Sequence, residues 1–346
     1  LTLSLSEFLI RLSDPRLLLT VCLTMGVILV NGWTDAPNAI TATVVTGALS
    51  FRSAVLMASV CNLLGVLCSA AVSNAVAQSI YDVADFGGDT RVALTALCAA
   101  LTAILLWATV AWRFGIPTSE SHALVAGLSG AALALEGGFY NLSPGVWMRI
   151  LAGLFLSVLS GFLLGRWYMV RFGAAMETRL RPRPLRACQI AGSGVMAFFH
   201  GAQDGQKLIG VFLLSAALAQ GRCDTETFPI PFWLMLLCAV TMALGTALGG
   251  KRIIDNVGRN MVSLTPVQGL SADLTGSACL LLCTLLGLPV STTHTKTAAI
   301  LGVGAASEKS KADWHVARSI LLAWVFTFPG CGLIGYGMAR LFLRIV

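Results

Sequence analysis

Asn31-Gly32-Trp33-Thr34-Asp35-Ala36-Pro37-Asn38 and His200-Gly201-Ala202-Gln203-Asp204-Gly205-Gln206-Lys207 decide how this chain is read. Laid on each other they share Gly and Asp, and the two aspartates stand 169 residues apart. A second pair nearly repeats the offset. Gly115-Ile116-Pro117-Thr118-Ser119-Glu120-Ser121-His122 matches Gly287-Leu288-Pro289-Val290-Ser291-Thr292-Thr293-His294 in Gly, Pro, Ser and His, at a spacing of 172. Two separate matches at nearly one offset mark an internal duplication.

The surroundings of these motifs are apolar. Of 346 residues, 56% are hydrophobic and 11% charged, and the mean hydropathy is +0.82. A soluble domain carries roughly 25% charged residues, so an ordinary soluble enzyme is excluded. Disorder is excluded too, because it needs low hydrophobicity and high charge. The 35 glycines suit close helix packing in a bilayer. Most of the ten cysteines lie inside apolar blocks and read as small buried hydrophobes. Glu7, Arg11 and Asp14 precede the first long block, so no cleavable signal peptide is expected.

Ten apolar blocks follow one another: 17–49, 53–76, 90–112, 115–136, 146–170, 187–219, 229–250, 266–286, 289–306 and 315–343. Most match the roughly 20 residues of a transmembrane helix. Blocks 17–49 and 187–219 are longer and carry polar residues near their middles. Blocks 115–136 and 289–306 open on Pro and hydroxyl residues. All four read as broken or re-entrant, which is tolerated at membrane depth only inside protein or along a cavity.

The net charge of +7 reads as topology, with no nucleic-acid partner. With Arg166, Arg171, Arg179, Arg181, Arg183 and Arg186 placed in the cytoplasm, alternation along ten crossings puts 14 Lys/Arg inside and 7 outside. The inside set includes Arg259, Lys309 and Lys311, and the outside set Arg222. Both termini and the loop at 82–89 then lie outside. Each half contains five crossings, so the second enters from the opposite face. The expected fold is an all-α polytopic membrane protein of about ten to twelve transmembrane segments, built from two inverted-topology repeats. The first repeat is 1–170, the basic cytoplasmic linker 171–186 and the second repeat 187–346.

Ionisable groups inside the apolar blocks are few, and each costs about 2.5–3.5 kcal/mol at a helix centre. Asp35 and Asp204, at matched positions, read as a cation or proton site near the midplane rather than as two helix caps. Asn31 and Asn38 add oxygens beside Asp35, and Gln203 and Gln206 flank Asp204. The Pro-Ser/Thr-His segments read as helix N-termini, where free N–H groups and the positive dipole end bind anions. Ser119, Ser121, Ser291, Thr292 and Thr293 would add hydroxyls there. Glu120 reads as a coupling residue, and His122, His294 and His200 as pocket supports. Lys207, where the first half has Asn38, sets a cation beside Asp204. Asp273 faces either the same cavity or Lys296.

Together these segments resemble the inorganic phosphate transporter (PiT) family over almost the whole chain. The resemblance implies symport of inorganic phosphate with a cation. It places Asp35 and Asn38 in the first signature, Asp204 in the second, and the hydroxyls of 119, 121 and 291–293 in the phosphate pocket, with Asn38 and Gln206 also facing substrate. Gln203 and Pro37 depart from the usual family residues. Lys207 is similar to the bacterial low-affinity, proton-coupled branch, which carries phosphate as a neutral divalent metal–phosphate complex. The expected partners are phosphate, protons or sodium, and the lipid bilayer of a bacterial inner membrane, with homodimer formation left open. No cofactor and no resident metal is expected. Sodium–phosphate symport, sulfate symport and a channel stand as alternatives. So does a membrane-embedded hydrolase using Ser119 or Ser291 with His122 or His294.

Overall fold

The computed structural model describes residues 4–72, 74–87, 89–116, 118–179, 181–221, 230–248, 250–255, 264–306 and 313–345. Pro117, Arg222, Arg259, Lys309 and Lys311 of the reading above lie outside them. The described residues are almost wholly helical. The first half holds α1 (Leu5–Arg11), α2 (Pro15–Thr34), α3 (Pro37–Val45), α4 (Phe51–Val72), α5 (Ala75–Tyr81), α6 (Thr90–Arg113), α7 (Glu120–Leu133) and α8 (Pro144–Arg179). The second holds α9 (Pro182–Leu218), α10 (Phe232–Leu248), α11 (Lys251–Ile254), α12 (Pro266–Leu285), α13 (Thr292–Ala305) and α14 (Trp314–Ile345).

Among the described residues five stretches are long and apolar enough to cross a membrane: Pro15–Val45, Phe51–Ser69, Thr90–Arg113, Pro144–Arg179 and Ala317–Ile345. The chain is a multi-pass membrane protein. Many of its exposed large side chains are apolar, among them Phe155, Trp167, Val325 and Leu333, as a lipid-facing surface requires. Helix α13 is more polar and is enclosed by protein. In α13 residues Thr292 to Gly304 are all buried.

The two long blocks behave differently. The first breaks between α2 and α3, where Pro37 opens the new helix. Proline has no N–H and its ring clashes with the carbonyl four residues back. The expected break in 187–219 does not occur: α9 runs unbroken for 37 residues through Asp204. Its prolines, Pro182 and Pro184, lie in its first turn, where they are tolerated. The segment 171–186 is mostly helical, with α8 reaching Arg179 and α9 starting at Pro182.

The blocks opening on hydroxyl residues form short helices of 14 residues each, α7 and α13. At 1.5 Å per residue these span about 21 Å, short of a hydrocarbon core of about 30 Å. Ser119 and Ser291 are their N-caps, each accepting a 3.2 Å hydrogen bond from the N–H of the histidine three residues on.

Packing is reciprocal between halves. Helix α4 lies on α9 and α10 on α2; α7 lies on α14 and α13 on α8; α6 packs on α2 and α7, and α12 on α9 and α13. Glycines permit the closest crossings. A Cβ on Gly130 of α7 would strike the Gly332 carbonyl of α14, and one on Gly302 of α13 the Phe162 carbonyl of α8. Gly130 and Gly302 are 172 residues apart.

Candidate functional site

The break after α2, the middle of α9 and the N-termini of α7 and α13 converge on one buried cluster. Asp35 caps α2, its N–H bonded to the Asn31 carbonyl at 2.9 Å. Its carboxylate accepts from the Thr293 hydroxyl at the start of α13. Asn38 donates to the Asp35 carbonyl and to Thr293 Oγ1, both at 3.0 Å. Asp204, on α9, is more heavily engaged. Its Oδ1 receives Lys207 Nζ at 2.6 Å, and its Oδ2 receives Asn31 Nδ2 at 3.1 Å and Thr292 Oγ1 at 3.4 Å.

Lys207 ties these parts together. Besides Asp204, its ammonium donates to Ser121 Oγ of α7 at 2.7 Å and to the Val290 carbonyl ahead of α13. Its side chain is only 2% exposed. One cation therefore joins α9 to the mouths of both short helices. Glu120 is buried beside it and accepts from the Thr34 hydroxyl.

His200 supplies a further group. Its Nδ1 lies 3.1 Å from Asn62 Oδ1 on α4 and its Nε2 lies 3.4 Å from Asp204 Oδ2. Asn62 Oδ1 can only accept, so Nδ1 carries the proton. A neutral ring then turns a lone pair toward a carboxylate, an arrangement that calls for a proton or cation between them. Ligand atoms of Asp35, His200 and Asp204 lie within 4.8 Å of one another.

His122 and His294 sit together on another side of the cluster. Their rings meet edge-on with centroids 4.4 Å apart. His122 stacks on Phe328 at 4.5 Å and His294 on Trp324 at 3.6 Å. Both ring nitrogens of His294 lack a hydrogen-bond partner among the described residues.

Gln206 points elsewhere, reaching across to the Ser69 carbonyl of α4 at 3.3 Å, while Gln203 donates to the Leu288 carbonyl ahead of α13 at 3.2 Å. Asp273 pairs with Lys296 away from Asp204. Four participants escaped the sequence reading: Thr34, Asn62 and the carbonyls of Val290 and Leu288. Asn62 carried a signal as an amide near the middle of the apolar block 53–76, whose other amide, Asn74, lies at its end. Backbone carbonyls carry none.

Asn31, Glu120, Ser121, Asp204 and Lys207 line a cavity of about 10 Å³, closed off by Val27, Leu124 and Leu208. That is room for about one water. A polyatomic anion does not fit this cavity as it stands.

The model of the phosphate transporter family matches this chain twice, over residues 31–181 and 171–335. A probable low-affinity inorganic phosphate transporter of Bacillus subtilis (strain 168) is 34% identical over 328 residues, covering 93% of this chain and 96% of that one. Another of the same description from Rhizobium meliloti (strain 1021) is 35% identical over 331 residues, covering 93% and 95%. The solved structure of a sodium-dependent phosphate transporter superposes with a TM-score of 0.86, over 96% of this chain and 100% of that one, at 20% identity. At that identity the likeness is one of fold.

Proposed function

The chain belongs to the phosphate transporter family, and we propose that it imports inorganic phosphate by proton symport across a bacterial inner membrane. The observation that carries this reading is Lys207, buried and bonded at once to Asp204, Ser121 and the Val290 carbonyl. A fixed ammonium between the N-termini of α7 and α13 offers an anion a charge and the positive dipole ends of two helices. Ser121, Thr292 and Thr293 stand there as hydroxyl donors. The ammonium stays with the protein through the cycle and cannot serve as a coupling ion. The driving ion is then a proton taken up by Asp35, Glu120 or phosphate itself. Phosphate paired with a divalent metal would enter as a neutral complex, which lowers the cost of burying it.

The twofold family match and the reciprocal helix packing support two halves of inverted topology. In this reading residues 1–170 and 187–346 rock against each other about the cluster, with 171–186 on the cytoplasmic face. Labelled phosphate uptake into proteoliposomes, with pH and sodium gradients imposed separately, tests the proposal. Uptake driven by an inward proton gradient supports it; no concentrative uptake under either gradient overturns it.

A second reading, sodium–phosphate symport, is favoured by one observation. Asp35, His200 and Asp204 bring oxygen and nitrogen ligand atoms within 4.8 Å of one another, and the solved structure of like fold is that of a sodium-dependent phosphate transporter. The same flux experiment separates the two.

A further inference from the structure

A buried ion pair lies outside the central cluster. Lys296, one turn into α13 from Thr292 and Thr293, donates to Asp273 of α12, and both side chains are 0% exposed. Ser193 of α9 donates to the other Asp273 oxygen at 2.6 Å and shares a hydrogen bond with Thr43 of α3. Beyond them Gln189 donates to Thr46 Oγ1 at 2.7 Å, and Arg186 Nε to the Ala48 carbonyl at 2.7 Å. These contacts end at a cavity of about 630 Å³ lined by Thr46, Ala48, Glu177, Arg186, Gln189 and Thr265. Arg186, Gln189, Ser193, His200 and Asp204 follow one another at steps of three, four, seven and four residues, one stripe along α9. A polar seam thus runs from the central cluster to this cavity, between α3 of the first half and α9, α12 and α13 of the second.

The opposite seam holds no charge at the matched positions: Arg186, Gln189 and Ser193 correspond to Leu17, Thr20 and Thr24 at the 169-residue offset. At the 172-residue offset, Asp273 and Lys296 correspond to Leu101 and Leu124, both buried. At the 169-residue offset, Thr43 corresponds to Phe212, which packs on Phe8 with centroids 5.2 Å apart. This fold therefore already buries two leucines where the second half holds two charges. Replacing a buried ion pair by hydrophobic groups is often neutral or stabilising, so stability alone does not account for Asp273 and Lys296.

We propose that the Asp273–Lys296 pair is the gate on the Arg186 side of the transport path: it closes the seam when formed and admits water and substrate when parted. Lys296 is then the first cation met by an anion leaving Thr292 and Thr293. The inference rests on the transporter reading above, but its test needs no transported substrate. Ala197 lies on α9 between Ser193 and His200, so a reagent coming from the Arg186 face must pass the pair to reach it. In a chain lacking native cysteines, Ala197→Cys is exposed from that face to a small charged methanethiosulfonate. Labelling is compared with the pair intact, in Lys296→Leu, and in the double variant Asp273→Leu/Lys296→Leu. Lys296→Leu strands a buried carboxylate, which draws in water, and labelling rises at least ten-fold. The double variant copies the first half, melts within a few degrees of the parent, and labels at least ten-fold more slowly. A merely structural pair would move both variants the same way. Equal labelling in all three chains, or a double variant that does not fold, overturns the gate. Labelling in the expected order by a chain that takes up no phosphate supports the gate and removes the substrate assignment alone.

Discussion

Lys207 Nζ and Asp204 Oδ1, three residues apart on α9, lie 2.6 Å from each other with both side chains 2% exposed. The pair is a fixed dipole at the meeting point of α9 with the mouths of α7 and α13. Its counterpart in the first half is Asp35 beside neutral Asn38, whose amide donates to Thr293. The two halves thus present one compensated and one uncompensated carboxylate to the same cluster.

From this asymmetry, initial phosphate uptake by the wild-type chain is independent of an inward sodium gradient at fixed pH and membrane potential. Lys207→Asn gives the second half the residue of the first and removes the fixed charge, so uptake becomes sodium-stimulated several-fold. Flux with inward sodium and potassium gradients compared is the measurement. A several-fold sodium stimulation of the wild type would refute the assignment of Lys207.

Neutralising the carboxylates separates coupling from stability. Asp35→Asn abolishes gradient-driven uptake while the melting temperature holds, because no fixed cation is left unpaired beside it. Asp204→Asn also abolishes uptake but leaves Lys207 buried without its partner, at a cost of about 3–5 kcal/mol. Flux together with thermal unfolding in detergent reads both effects. Near-normal concentrative uptake by either variant sinks the coupling role.

Two halves of inverted topology, as proposed above, make a topological prediction. Cysteines placed at Asp85 and Arg179, both exposed, react with impermeant thiol reagents from opposite faces of the membrane in a background without native thiols. Labelling of both from one face contradicts five crossings per half.

Close helix crossings make a stability prediction. Gly130→Ala and Gly302→Ala each push the added methyl into a backbone carbonyl of the other half and cost about 1–3 kcal/mol. Gly337→Ala, with nothing within 4 Å of the new carbon, leaves the melting temperature unchanged or slightly raised. Equal effects at all three positions would remove the packing argument.

Much of this molecule was legible in its sequence for simple reasons. Apolar blocks of helical length must be helices in a bilayer, since no other local structure satisfies the backbone there. A serine and a histidine three residues on, after a proline, marked two short helices, and both begin at Ser119 and Ser291 as caps. Asp35 and Asp204 stood out because a carboxylate in an apolar block needs a reason. Partnership was not legible. Thr293 bonds Asp35, and Lys207 bonds Ser121, across separations of 258 and 86 residues, and no local pattern encodes such contacts. The break expected in α9 was an error of the same origin. Polar residues near the middle of a long block suggested an interruption, but only Pro37 removes a backbone donor. In α9 the polar side chains found partners on α4, α7 and α13, so the helix had no cause to break.

The sequence by itself determined the membrane setting, the duplication and the residue types at its matched positions, because solvent and helix period act on neighbours along the chain. Tertiary structure alone decided which charges meet: Lys207 with Asp204 at the centre, Lys296 with Asp273 beside the seam. In a low-dielectric interior a charge is tolerated only where a partner sits within a few ångströms, and that distance is set by how α9, α12 and α13 pack, not by their order.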